Sequence, residues 1–239
     1  MPDQMHPTAA AFLERADRLF GDGYSAVLHG SLVRGDFLPD RSDVNLLVVT
    51  DQVSVADLRE ISAQLALFEQ ERMSPPLLIP RSEWECAADV FPIEITDIRS
   101  AYRVVRGSDP VMSCSVRPRD LQRALESELR GKLLRLRLDY GLYHADEDRL
   151  AAVVGYSVGS IRVLLRSALA LAGVPSPASD TELAREVSGM IRSDHAPLER
   201  VLAHRRNPSW RCPRQLFESY VGVVEQATRF VDGYHAGDQ

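Results

Sequence analysis

The sequence predicts an α+β protein in two parts: a mixed sheet with flanking helices over residues 1–113, and an all-α helical bundle over residues 117–236. Three observations carry this. Apolar runs of strand length alternate with amphipathic helical stretches as far as about residue 105, strand signals stop by Arg117, and beyond Pro118 leucines recur three or four apart. The 239 residues suffice for one large domain or two smaller ones, each with a core of its own.

Taken in order, residues 8–20 read as an amphipathic helix with Phe12, Ala16 and Leu19 on one face, ended by Gly21-Asp22-Gly23. Residues 24–29 form the first strand and residues 44–50 the second; Leu46-Leu47-Val48-Val49 is apolar throughout, as a strand buried on both faces requires. Ser54 is the expected cap of a helix reaching Glu71, which Pro75-Pro76 follows. Leu77-Leu78-Ile79 is a short strand closed by Pro80, and Ser82 is expected to cap a short helix over residues 83–88. Residues 90–96 read as a strand, because Phe91, Ile93 and Ile95 alternate with polar positions and put Glu94 and Thr96 on the opposite face. Residues 101–105 are the expected edge strand.

In the second part, helices are expected over residues 118–140, 146–171, 181–191 (capped by Asp180), 196–205 and 213–234. The helix over 146–171 is apolar around nearly its whole circumference and should be central to the bundle, its Gly155, Ser157, Gly159 and Ser160 letting a neighbour approach closely.

Charge and cysteine content narrow the function classes. The net charge of −6 argues against a general nucleic-acid binder. It is unevenly divided, net −8 over residues 1–113 and net +2 over residues 114–239, which fits a carboxylate-bearing half and a basic helical half. The basic residues of the 118–140 helix are interleaved with acids and lack aromatic stacking partners, so a solvated helix surface explains them better than a nucleic-acid groove. Arg outnumbers Lys 27 to 1, a composition read here as that of a GC-rich bacterial genome. Cys86, Cys114 and Cys212 are odd in number and match neither zinc spacing nor a disulfide framework, which favours a reducing, cytoplasmic setting. No uninterrupted apolar run of about 18 residues occurs, and residues 1–4 do not resemble the start of an export signal. No membrane role is expected.

One stretch concentrates polar groups between two apolar runs. After Val27-Leu28-His29 come Gly30-Ser31, then eleven residues rich in Gly, Pro, Asp and Arg, then Asp43-Val44-Asn45-Leu46. The reading is strand, tight turn into a short helix, loop, strand. A Gly-Ser turn offers free N–H groups and a hydroxyl to an anion, and an Asp at the mouth of the next strand can hold a cation against it.

This pattern resembles the signature of the nucleotidyltransferase (polymerase-β-like) superfamily, and within it the bacterial aminoglycoside-type members with a helical C-terminal domain. The resemblance implies transfer of a nucleoside monophosphate from an NTP to a hydroxyl on a small-molecule or protein acceptor, with Mg²⁺ as cofactor. It assigns Gly30 and Ser31 to the nucleotide phosphates. Asp43 becomes a catalytic metal ligand, and the second motif position, where the family carries a carboxylate, is Asn45. A third carboxylate from a later strand is expected to serve as base or remaining ligand; Glu94 matches best, with Asp97 in reserve. Asp43, Asn45 and Glu94 are thus the expected metal set.

Each residue has a plainer alternative. Asp43 could cap a strand, Glu94 could pair with Arg99 or Arg103, and His29 reads as a packed strand residue. Asp36 and Asp40 read as solvated turn residues. Asn45 supplies only a neutral oxygen, which weakens a two-metal site and leaves open a nucleotide-binding or regulatory, toxin–antitoxin-like protein without turnover. A homodimer is one assembly open to such a chain.

Overall fold

The computed structural model describes residues 5–35, 44–71, 73–204, 207 and 209–234, and the chain divides into two compact units, residues 1–116 and 117–239. Asp36, Asp40 and Asp43, and the last residue of the expected 196–205 helix, lie outside the described residues.

The first unit opens with α1 (Pro7–Phe20), whose proline occupies the first turn where no amide hydrogen is needed. There follow β1 (Tyr24–His29), the one-turn helix α2 (Ser31–Arg34) and β2 (Asn45–Thr50). The expected 54–71 helix is two helices, α3 (Val55–Glu60) and α4 (Ser62–Gln70), separated at Ile61, whose ψ of 3° leaves the helical basin. Ser54 and Asp57 form the reciprocal cap at its start. After β3 (Leu77–Pro80) come α5 (Arg81–Glu85), which Pro80 rather than Ser82 precedes, and α6 (Pro92–Ser100), then β4 (Tyr102–Arg106).

The four strands form one mixed sheet in the order β3-β2-β1-β4, with β1 antiparallel to β2 and β4, and β2 parallel to β3. Both central strands are covered on both faces. Ala26, Leu28, Leu46 and Val48 face α1 and α4, where Phe12 and Phe68 meet edge to face at 6.0 Å. Val27, Leu47 and Val49 face Trp84, Ile95 and Ile98. The apolar run Leu46–Val49 is therefore a doubly buried strand, as its composition requires.

The segment expected as a strand over residues 90–96 is corrected to helix: α6 begins at Pro92. Its buried residues include Ile95 and Ile98, three apart, whereas Phe91 of the apparent alternation is half-exposed. Pro at the first position and Glu94 in the first turn both favour a helix start, and these local terms outweigh a short alternation.

The second unit is wholly helical among its described residues: α7 (Pro118–Tyr143), α8 (Glu147–Leu171), α9 (Asp180–Ile191), α10 (Ala196–His204) and α11 (Arg214–Asp232). Leu121, Leu125, Leu129, Leu133 and Leu136 give α7 its buried stripe. Asp146 caps α8 by accepting from two amides, and Ser179 rather than Asp180 caps α9. By length and mean hydropathy α8 meets the criterion for a membrane span, yet more than half of that window is buried among its neighbours, as in a core helix. The α7 arginines are largely paired: Arg130 with Glu126 and Asp232, Arg135 with the fully buried Asp139, and Arg137 with Glu225.

Close approach at the α8 glycines is not observed. Ser157 is buried and lies 3.3 Å from the Tyr220 hydroxyl, but Gly155 and Gly159 are exposed, with open space where a Cβ would stand. Gly155→Ala and Gly159→Ala are each expected to stabilise the protein by about 0.5–1 kcal/mol, measured by urea unfolding, because alanine restricts the unfolded chain and meets nothing here.

Candidate functional site

At one end of the sheet, β1 turns sharply into α2. Gly30 has φ +78°, and Gly35, which ends α2, has φ +92°, so both bends use backbone that side-chain-bearing residues rarely adopt. Between them the Val33 and Arg34 amides donate to the Gly30 carbonyl at 3.1 and 2.9 Å. Ser31 and Leu32 open this helix, so their amides have no acceptor within it.

The register pairs His29 with Asn45 on β2 and with Tyr102 on β4. Strand alternation places His29 and Asn45 on the sheet face that carries α6. Asn45 reaches across to the turn: a Cβ built on Gly30 would stand 2.8 Å from the Asn45 Nδ2. The expected nucleotide residues Gly30, Ser31 and Asn45 are thus brought together.

Two ties hold the turn to the end of α6. The Gly30 amide donates to the Ala101 carbonyl at 3.0 Å. The Arg34 Nη2 lies 3.3 Å from the Asp97 Oδ1 and 3.3 Å from the Ser100 hydroxyl, with side-chain exposures of only 10% for Arg34 and 20% for Asp97. The reserve carboxylate Asp97 is therefore at the turn but already engaged by a guanidinium. Glu94, the first choice, stands exposed in the first turn of α6, one turn before Asp97 along the same helix side. Neither rides on a strand, and none of the four strands carries an Asp or Glu. Arg99 donates to the Cys114 carbonyl.

His29 is neutral near pH 7. Burial pushes its pKa down to about 4, with the Arg34 charge adding to the depression and the Asp97 carboxylate opposing it. Its Nδ1 is buried with no hydrogen-bond partner among the described residues.

Among the described residues no three His, Cys, Asp or Glu side chains gather as a metal-binding group. Asn45 offers one neutral oxygen and Asp97 is paired, so these residues alone do not make a divalent-cation site. Among the described residues they make a turn whose first amides have no acceptor within α2, with Arg34 paired to Asp97 and with His29 and Asn45 uncharged. The Arg34–Asp97 contact had no signal in the sequence, its partners being 63 positions apart.

The family model described as "Nucleotidyltransferase domain" matches residues 10–102, a segment containing the turn, Asn45 and α6, and the fold is that of the nucleotidyltransferases. Among solved structures, the chain is similar to the spectinomycin adenyltransferase AAD(9) from Enterococcus faecialis, determined with ATP and spectinomycin. The identity is 12% and the TM-score 0.52, with 93% of this chain and 99% of that chain covered, so the likeness is one of fold. No curated protein matches the chain.

Two expectations follow from the geometry. Gly30→Ala should cost about 1–3 kcal/mol in urea unfolding, since it adds backbone strain and displaces Asn45. The His29 shift sets a pH dependence: the unfolded chain takes up a proton near pH 6.5 and the folded chain only near 4, so stability contributed by neutral His29 is intact above 6.5 and is lost as pH falls towards 4. The loss should reach up to about 3 kcal/mol, and His29→Gln should flatten that part of the stability–pH curve.

Proposed function

We propose that the chain moves a nucleoside monophosphate from an NTP onto a hydroxyl of a small-molecule acceptor. The observation that carries this reading is the meeting of Gly30 and Asn45, where the turn's backbone faces the strand start with no room for a side chain on Gly30. Beyond that contact the Ser31 and Leu32 amides have no acceptor within α2, and such N–H groups suit a phosphate. The match of residues 10–102 to the nucleotidyltransferase domain supports the donor chemistry, and the ATP and spectinomycin bound by AAD(9) support an NTP and a small acceptor.

In this reading the amides after Gly30 and the Ser31 hydroxyl hold the phosphates. The acceptor oxygen attacks the α-phosphorus, its proton passes to Glu94, and pyrophosphate leaves. Glu94 suits that role better than Asp97 because its carboxylate is exposed rather than tied to Arg34. The triphosphate of the donor is multiply negative, which supports Mg²⁺ as cofactor. Asp43 and Asn45 are its proposed ligands, which leaves the Glu94 carboxylate unligated to act as the base.

A second reading is favoured by two specific observations: Asn45 in place of a carboxylate, and no Asp or Glu in the strands among the described residues. A site so depleted suits a protein that binds nucleotide without turnover and regulates or engages a partner.

Calorimetry with ATP, GTP, CTP and UTP, with and without Mg²⁺, combined with a pyrophosphate-release assay using spectinomycin as first acceptor, separates the readings. Mg²⁺-dependent binding with pyrophosphate release is expected for the transferase. Binding without release in the natural chain, with release appearing in Asn45→Asp, would identify the non-catalytic form. Absence of binding to all four nucleotides would overturn both.

A further inference from the structure

We propose that the chain pairs with a second copy of itself through the outer sides of α7 and α8, about a two-fold axis that crosses these helices near Leu138.

Among the described residues of the second unit, every exposed large apolar side chain lies on this one face: Leu134, Leu138 and Leu142 of α7 and Tyr156 of α8, each more than half exposed. Spacing of four draws the leucines into a single ridge, turned away from the buried stripe of Leu125, Leu129, Leu133 and Leu136. The Tyr156 hydroxyl donates to Asp139, the neighbour of Leu138, so the exposed sides of the two helices adjoin. Ala152, Gly155 and Gly159 share that side of α8 with Tyr156 and are exposed, so beside the leucine ridge the surface is low. Apolar side chains scattered singly in solvent are ordinary, whereas four gathered on one face mark a contact surface.

The polar groups at the centre of this face are compensated within the chain. Asp139 is fully buried and accepts from the Tyr156 hydroxyl and from the Arg135 Nε at 3.2 Å. Arg135 is exposed, yet its counter-charge lies beneath it. A partner that covers Arg135 and Tyr156 therefore buries a paired charge and an engaged hydroxyl, which avoids the cost of an unpaired one. Tyrosine and arginine are also the side chains that dominate the centres of such contacts.

Charge singles out a second copy as the occupant. Around the Leu134 end of the ridge, Arg130, Lys132 and Arg135 outnumber Glu128, giving net +2 over residues 127–135. Past the Leu142 end, Asp146, Glu147 and Asp148 outnumber Arg149, giving net −2 over residues 142–149. A two-fold axis running along the helices would set like ends together. An axis across them at Leu138 runs the two α7 helices antiparallel, with Leu134 of one copy beside Leu142 of the other. The basic end of each copy then meets the acidic end of its partner, and symmetry makes that match twice.

Sedimentation velocity of the full chain over about 1 to 100 μM should show monomer giving way to dimer. Leu138→Asp, at an exposed position outside the core, should weaken dimerisation about thirtyfold or more while the circular-dichroism melt of dilute protein stays little changed. To fix the axis, the exposed Cys86 is first replaced by Cys86→Ser. In that background mild oxidation should cross-link Leu138→Cys to itself, and should join Leu134→Cys to Leu142→Cys when the two variants are mixed. A chain that is monomeric throughout overturns the proposal, as does a dimer that Leu138→Asp leaves intact. A dimer in which neither cysteine pairing cross-links overturns the antiparallel arrangement.

Discussion

The turn after β1 depends on a steric constraint at one atom. Gly30 carries no Cβ, and the space where one would stand is taken by the Asn45 amide. That contact brings β2's first residue against the turn, and the Gly30 amide's bond to Ala101 brings in the end of α6. Three segments distant in sequence thus converge on a residue that must be glycine, both for its positive φ and for its missing side chain.

Around this point the physical roles divide cleanly. The sheet supplies rigidity: β1 and β2 are buried on both faces and contribute no acidic side chain. The helix α6 supplies charge, with Asp97 shielded and paired and Glu94 open to solvent. Asp97 is paired with Arg34 of the turn, while Glu94, one turn earlier, is open to solvent.

Much of the fold was legible because the strongest signals were local. The apolar run Leu46–Val49, the Gly30–Ser31 turn, the Ser54 cap and the leucine stripe of α7 are each dictated within a few residues of sequence. The 90–96 segment misled because Phe91, Ile93 and Ile95 alternate as a strand does. The deciding information was Pro92 at a helix start and the continuation to Ile98, which lies beyond the window in which alternation is judged. The seat of Arg34 on Asp97 could not be read at all, since an ion pair spanning 63 positions leaves no periodicity. Gly155 and Gly159 illustrate the converse: small residues in an apolar helix suggest contact, but which side of the helix they occupy is set by the whole bundle.

The carriage of acidic groups on α6 rather than on a strand has a consequence for how such a protein changes over time. A residue in the middle of a sheet is constrained by cross-strand neighbours and by the pleat, so exchanging it disturbs pairing as well as reactivity. An outward position in the first turn of a helix is bound by neither. Under the proposed function, variation at Glu94 would retune proton transfer while the ladder of β1 and β2 stays intact, leaving this scaffold free to diversify its chemistry without re-solving its folding.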